Sequence, residues 1–518
     1  MPERRHSAGA RKSSQKSEEM TGEPATAMNR SGYRLPPSAL VSGPIGKTLF
    51  LFTIPLLGSN ILQSLNGLVN AVWVGRYLGE AALTATSNAH IVMFFLLGLV
   101  FGISMAATIL IGQAVGSDNL ERIKRVVGTS TTFFVLLSVA GAIAGFLLTP
   151  PILALMHTPP DALPLASAYL RIIFLALPFM YFSTLVTTML RGAGDAKTPF
   201  YFLALAVLLD IAFNPLLILG IGPLPAMGIA GSGAATLVSQ VLSLAAMIAY
   251  MYLRKSFLCL YRGEFHYLKF DRVILTALVR KGLPMGVQII MISLSAVAMI
   301  SMVNAYGSQT TAAYGICTQL WTFVQMPAIA VGAAASSMAA QNIGANRWDR
   351  VSQIVWYGVI FSFVLTGLPL LGLYGFSETS LGIFLPSASG AVEIAKHINY
   401  IVSWSFMFFG IAMVIFGVVR ATGATMAPLF ILFVALWLVR IPFAKYFETD
   451  YGADSIWWSF PIGTFVTVGL AMAYYRYGNW RNAQMIDEEP SGQAPDTGLA
   501  PPDMVSLGEM PDEPAPKA

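Results

Sequence analysis

The chain has 518 residues, of which 55% are hydrophobic and only 11% charged, with a formal net charge of +5. Ordinary soluble domains carry about 25% charged residues, and here the apolar residues come in runs of about 20, enough to cross about 30 Å of hydrocarbon; lipid, not water, is the solvent. The cations sit in short loops between those runs rather than on one basic face, which argues against nucleic-acid binding.

Residues 1–44 are polar, rich in Arg, Lys, Ser and Pro, and lack the apolar stretch of a signal peptide; they read as a disordered cytoplasmic tail. Twelve apolar runs follow, at roughly 48–75, 88–111, 126–149, 165–190, 199–220, 225–253, 282–305, 312–340, 352–375, 397–419, 428–447 and 455–475. Alternate loops hold Arg122, Lys124 and Arg125; Arg191 and Lys197; Arg254 to Lys281; Arg347 and Arg350; and Arg420. The positive-inside rule makes these loops cytoplasmic, together with both tails. The expected layout is a first six-helix lobe (45–255), a cytoplasmic loop (256–280), a second six-helix lobe (281–480) and an acidic, Pro-rich, disordered tail (481–518). Cys259 and Cys317 fall in different environments, so no disulfide or cysteine metal site is expected.

Sliding the chain on itself by roughly 228 residues brings three stretches into register. Pro55 falls on Pro284; QAVGSDNLER, with Gln113 and Gly116, falls on QNIGANRWDR, with Gln341 and Gly344. Arg191, Gly194 and Pro199 fall on Arg420, Gly423 and Pro428, two structural turns of one repeat. Six spans per copy is even, so the two halves enter the membrane in the same sense and are related by a pseudo-two-fold axis along its normal. Two lobes facing across a cleft suit alternating access. The fold expected is an all-α polytopic membrane protein, and the class a transporter rather than an enzyme.

Asp210 lies about 11 residues into span five, about 16 Å deep at 1.5 Å per residue. An ionisable group there costs on the order of 3 kcal/mol and marks a functional position by default; desolvation favours a neutral carboxyl, as a proton carrier needs. Its structural alternative is a neutral or paired acid tying helices together. Asn214 is one turn along the same helix. Asn60, Gln63, Asn66 and Asn70 form a polar stripe on span one, and Thr236 sits in span six; interhelical hydrogen bonding is the plainer explanation for such residues. Pro215 frees a backbone carbonyl beside them.

These stretches resemble the multidrug and toxic compound extrusion (MATE) transporters: IPLLGSNILQSLNGLVNAVWVGRYLG, GQAVG, LRGAGDAKTP, GIAGSGAATLVSQ, GLPMG and RATGATMAP, in order across roughly residues 44–480. The resemblance implies a twelve-helix antiporter that exports organic, often cationic, drugs or toxic compounds against protons or sodium. Span seven reads GVQIIMISLS, with Gln288 and Ile292 where the NorM-like branch carries a glutamate. The chain fits the DinF-like branch better, with two departures: Asn70 replaces the usual acid of span one, and Asp210 and Asn214 exchange the branch's order. The resemblance implies ion coupling through Asp210, Asn214, Asn70 and Thr236. One acid leaves a sodium site short of a negative ligand, so protons are favoured.

Adaptable Met and aromatic walls suit promiscuous binders; candidates for the substrate cleft are Gln63, Asn66, Tyr181, Tyr201, Gln288, Met291 and Trp321, with Met299, Met302 and Phe323 as further apolar liners. Each is more often core or lipid-facing. Arg171 and Arg440 read as snorkelling cations, Lys445 and His397 as interfacial, and His90 is ambiguous. The five histidines form no HExxH, and GPIGKT has Val41 where a phosphate loop needs its first glycine. No metal or cofactor is expected beyond the coupling ion. The expected partners are a small organic substrate, a proton or sodium ion and the bilayer of a bacterial inner membrane, with a monomer as the working unit. A flippase for a lipid-linked or amphipathic metabolite is the alternative, disfavoured by few deep cations; a non-transporting receptor is a third reading, disfavoured by the repeat.

Overall fold

The computed structural model describes residues 38–221, 225–377, 381 and 390–486. Twelve helices long and apolar enough to span a membrane make up most of them, and no strand occurs among the described residues. In chain order they are α1 (Ile45–Leu78), α2 (Glu80–Gly116), α3 (Leu120–Leu155), α4 (Leu163–Gly192), α5 (Lys197–Leu219), α6 (Ile229–Leu253), α7 (Arg272–Asn304), α8 (Ser308–Gly344), α9 (Trp348–Gly375), α10 (Ser405–Thr422), α11 (Met426–Tyr446) and α12 (Asp454–Tyr477). Leu51, Ile54, Val72, Leu136, Ile143, Leu147, Leu368 and Leu371 are exposed on their outer faces, where lipid replaces water. The side of the membrane that carries the loops after even-numbered helices is called here the basic side.

Polar residues set the helix ends. Asn119 opens α3 by accepting from the Arg122 amide at 2.9 Å, and Asp195 opens α5 by accepting from the amides of Lys197 and Thr198 at 3.0 and 2.9 Å. Asp271 caps α7 through Val273 and Ile274, so this helix reaches back into the stretch 256–280 expected as loop. The rest of that connection is pinned by buried Lys124, whose Nζ donates to the Cys259 carbonyl and the Glu264 carboxylate, both at 2.6 Å. Cys259 and Cys317 are both free and buried.

Span ten, expected as one run at 397–419, is two helices: Gly390–Val402 precedes α10. Two serines make the break. Ser403 Oγ donates to Asn399 Oδ1 at 3.1 Å and Ser405 Oγ to the Val402 carbonyl at 2.7 Å, offering the chain local partners other than the helical ladder. Order also reaches past both expected tail boundaries. Ala39–Ser42 forms a helical turn with Leu40 buried, held by Asn342 Nδ2 to the Leu40 carbonyl at 3.0 Å and Arg350 Nη2 to the Gly43 carbonyl at 2.6 Å. At the other end Trp480 and Met485 are buried. The remaining tail residues lie outside the described ones.

The duplication is visible in the backbone. Gly194 and Gly423 take φ +93° and +107° after α4 and α10, and Asp118 and Asn346 take φ +52° and +56° after α2 and α8, a conformation that Gly, Asn and Asp adopt at least cost. Packing repeats as well: α2 against α4, α3 against α4 and α5 against α6 in the first lobe correspond to α8 against α10, α9 against α10 and α11 against α12 in the second. The lobes meet through α2 with α7 and α8 with α1 and α2. On the basic side the contact is reciprocal. Gln113 Nε2 donates to the Ala421 carbonyl and Gln341 Nε2 to the Gly192 carbonyl, each at 2.8 Å. A Cβ on Gly116 would collide with the Gln341 carbonyl, and one on Gly344 with that of Gln113, so only glycine lets the helices approach this closely.

Candidate functional site

Three first-lobe helices converge on Asp210, which is only 3% exposed near the middle of α5. Asn70 Nδ2 of α1 donates to its Oδ2 at 3.1 Å, and Thr236 Oγ1 of α6 donates to its Oδ1 at 3.2 Å. Asn66, one turn before Asn70, lies within reach of the same carboxylate. No Lys or Arg pairs with Asp210 among the described residues. The acid is held by neutral groups alone, and hydrogen bonds are what permit a polar group at this depth.

Of the four residues expected to couple the ion, Asn70 and Thr236 reach the carboxylate, while Asn214 spends its amide on the backbone. Its Nδ2 donates to the Asp210 carbonyl at 2.9 Å. The amide oxygens of Asn66, Asn70 and Asn214 are buried without partners. Sequence reasoning missed Tyr169 of α4, buried and close enough to feel the Asp210 charge; a lone Tyr near a span end gives no periodic signal. Gly233 of α6 makes room for it, since a Cβ there would touch Tyr169 and Ile172.

Next to this cluster is a cavity of about 440 Å³. Gln63 stands on α1 before Asn66, Ala206 on α5 before Asp210, and Gln240 on α6 after Thr236. Each is about one turn nearer the basic side, so the cavity begins where the Asp210 cluster ends. Thr184, Thr187, Thr188 and Arg191 of α4 continue it towards the basic side. Phe94, Leu97 and Phe101 of α2, Met180 and Met247 give it apolar walls. The threonine stripe at 184, 187 and 188 and the spacing of Thr236, Gln240 and Ser243 on α6 were legible as helical periodicities, but polar stripes also occur wherever helices pack.

Among the seven substrate candidates, Gln63 lines this cavity and Asn66 belongs to the Asp210 cluster. The others are elsewhere. Tyr181 is buried with its hydroxyl donating to the Leu96 carbonyl at 3.3 Å, and Tyr201 is exposed on the outer face. Gln288 donates to the Thr425 carbonyl at 3.2 Å and Trp321 to Asn399 Oδ1 at 2.8 Å, both inside packed helix contacts. Met291 is half-buried on α7 outside the cavity lining, and Met299 is fully buried in the second lobe. Large polarizable side chains fill cores as readily as clefts, so composition did not separate the two.

The repeat's two arginines share a turn but not a role. Arg420 Nε donates to the Phe416 carbonyl at 3.1 Å, whereas Arg191 lines the cavity with its Nε buried and unpaired. Arg171 lies over the Phe146 ring at 5.3 Å, and His90 is exposed on α2. Lys445 and His397 pair with Glu448 and Asp454, at 2.7 and 2.8 Å, on the side opposite the basic one.

Comparison with known proteins is consistent with this duplicated architecture. The family model MatE matches residues 55–216 and 284–445, two copies whose starts are 229 residues apart. The probable multidrug resistance protein YoeA of Bacillus subtilis (strain 168) is 39% identical over 443 residues, covering 85% of this chain and 95% of its own length. The probable multidrug resistance protein YpnP of the same organism is 30% identical over 458 residues, covering 86% and 98%. A crystal structure of MATE in complex with MaD3S shares the fold at a TM-score of 0.79 and 19% identity, covering 86% of this chain and 98% of that one.

Proposed function

The chain belongs to the MatE family, and from that premise we propose that it is a secondary antiporter exporting organic drugs or toxic compounds, often cationic, in exchange for protons taken up at Asp210. The supporting observation is the neutral amide ring around one buried acid. As a carboxylate, Asp210 accepts from Asn70 and Thr236. As an acid it must donate, and the unpaired amide oxygens of Asn66, Asn70 and Asn214 are the acceptors at hand. A ring that serves both protonation states lets the proton come and go without breaking the fold.

Sodium is the second reading, favoured by the same unpaired oxygens, since hard cations take carboxylate and carbonyl oxygens together. Within the family we place the chain nearer the DinF-like branch, because its buried acid is in α5 and α7 carries Gln288, tied to the Thr425 carbonyl. We further propose a bacterial inner-membrane location with the basic side facing the cytoplasm. Ser117→Cys and Ala345→Cys, introduced after Cys259→Ser and Cys317→Ser, should resist an impermeant thiol reagent outside intact cells; labelling of either reverses the orientation. The function itself is tested in proteoliposomes under a proton or a sodium gradient imposed separately. Asp210→Asn should remain folded and lose proton-driven efflux, and full efflux by that variant would move the coupling site elsewhere.

A further inference from the structure

Arg191, at the basic-side end of α4, has no counterion among the described residues. It sits in the last turn of α4, where the helix dipole offers a small compensation. The nearest acid in sequence, Asp195, is fully engaged: its Oδ1 accepts from the amides of Lys197 and Thr198, and its Oδ2 from the Thr198 hydroxyl at 2.5 Å. No described side chain or carbonyl accepts from the Arg191 guanidinium, whose Nε is buried. Its repeat equivalent, Arg420, meets this need with the Phe416 carbonyl. Arg191 does not, although the same turn of helix offers it a carbonyl at the same distance along the chain. It faces the cavity instead.

The cavity fits an anion better than a cation. Its polar lining comprises Arg191, glutamines and hydroxyl residues, and no Asp or Glu contributes to it. Gln63 and Gln240 present amides at one end; along one wall Thr187 stands between Thr184 and Thr188, whose hydroxyls donate to the Met180 and Leu185 carbonyls, and the α2 aromatics close the other. Arg191 is half-buried with its Nε enclosed and unpaired, and a guanidinium so placed is relieved by a carboxylate or phosphate that pairs with it. The apolar walls ask for a hydrocarbon or aromatic body on the same molecule.

We propose that the first-lobe cavity receives an amphipathic organic anion, a carboxylate or phosphate ester whose charged end pairs with Arg191. This rests on the reading of the chain as an exporter and makes the cargo of this cavity anionic, where the family resemblance alone implies one that is often cationic.

The test uses the full chain in phosphatidylcholine nanodiscs near neutral pH without any ion gradient, with dansylundecanoate and its methyl ester as probes read by fluorescence titration. The wild type should bind the carboxylate about tenfold tighter than the ester, the factor expected of a charge-assisted pair. Arg191→Gln should bring that ratio to about one, and Arg191→Lys should restore part of it. Gln63→Glu, which places an internal anion in the cavity, should also lower the ratio to about one, and it decides the matter if Arg191→Gln fails to fold. Equal binding of acid and ester by the wild type, or an unchanged ratio in a folded Arg191→Gln or in Gln63→Glu, overturns the proposal. Phosphatidylglycerol added to the nanodiscs should leave the carboxylate bound; its displacement by that lipid would overturn the anion as cargo and give the site to a lipid headgroup. Because the ratio is read without a gradient, failure of proton-driven efflux would count against the antiport reading and leave this result interpretable.

Discussion

The fifth helix of each lobe occupies the same place in the repeat and holds opposite chemistry. The offset between the two matched copies carries position 210 onto 439, beside Arg440. In α5 an acid is ringed by amides and a hydroxyl. In α11 a π-helical stretch, Val434–Arg440, ends on an arginine 3.4 Å from the Phe460 ring centroid, within an aromatic cluster of Tyr314, Trp321, Trp457 and Phe460. Amides can donate to a carboxylate or accept from an acid, so the first lobe can host two protonation states. A guanidinium stays charged in proteins and cannot exchange its proton, so the second lobe offers a fixed charge. Duplication copied the turns and the interlobe contacts, and the buried chemistry diverged, so the proposed ion coupling is assigned to the first lobe alone.

The largest expected difference between the lobes is in transport. Asp210→Asn should abolish proton-driven efflux in proteoliposomes, while Arg440→Gln should leave its pH dependence in place; if Arg440→Gln removes that dependence instead, the coupling charge lies in the second lobe. Next in size is the basic-side closure, where the lobes should behave alike. Gly116→Val and Gly344→Val each drive a side chain into a facing carbonyl and should cost about 1–3 kcal/mol, the usual penalty of overpacking, read as lowered thermal stability. A large inequality between them would show that the closure is not reciprocal. Gln113→Ala and Gln341→Ala remove the crossed hydrogen bonds and should each cost about 1 kcal/mol, again to similar extents.

The smallest effect concerns a pair without a first-lobe counterpart, since Leu219 stands where the repeat would place Glu448. The hydrogen bond from Lys445 holds the half-buried Glu448 carboxyl below its ordinary value. A lowered folded value means that the contribution is present above the unfolded value, about 4.3, and fades as pH falls through the folded one. Glu448→Gln should therefore lower thermal stability slightly at neutral pH, with the difference vanishing in acid. A difference that grows in acid would contradict the pairing.

Much of the fold was legible because its signals are local. Span lengths, the placement of Lys and Arg in alternate loops and the recurrence of Gly194 at Gly423 are properties of short segments, and the membrane leaves few ways to satisfy them. Span ten shows the limit. Apolarity predicted one helix, while Asn399, Ser403 and Ser405 form side-chain hydrogen bonds that divide it, and these depend on the geometry around each serine. The boundary of the second lobe was misplaced for a similar reason, because the Asp271 cap is a single residue in an otherwise polar stretch.

The sequence by itself determined that this is a duplicated, twelve-span membrane protein of the MatE family with one acid deep in its fifth helix. The tertiary structure decided what that acid meets. Asn70 and Asp210 are 140 residues apart, and no periodicity along either helix specifies that their side chains converge, because convergence depends on how α1, α5 and α6 rotate against one another in packing. The same holds for Arg191 and Arg420. They are equal in sequence and in backbone, but their surroundings differ: one bonds to its own helix and the other faces a cavity that exists only once six helices have closed around it.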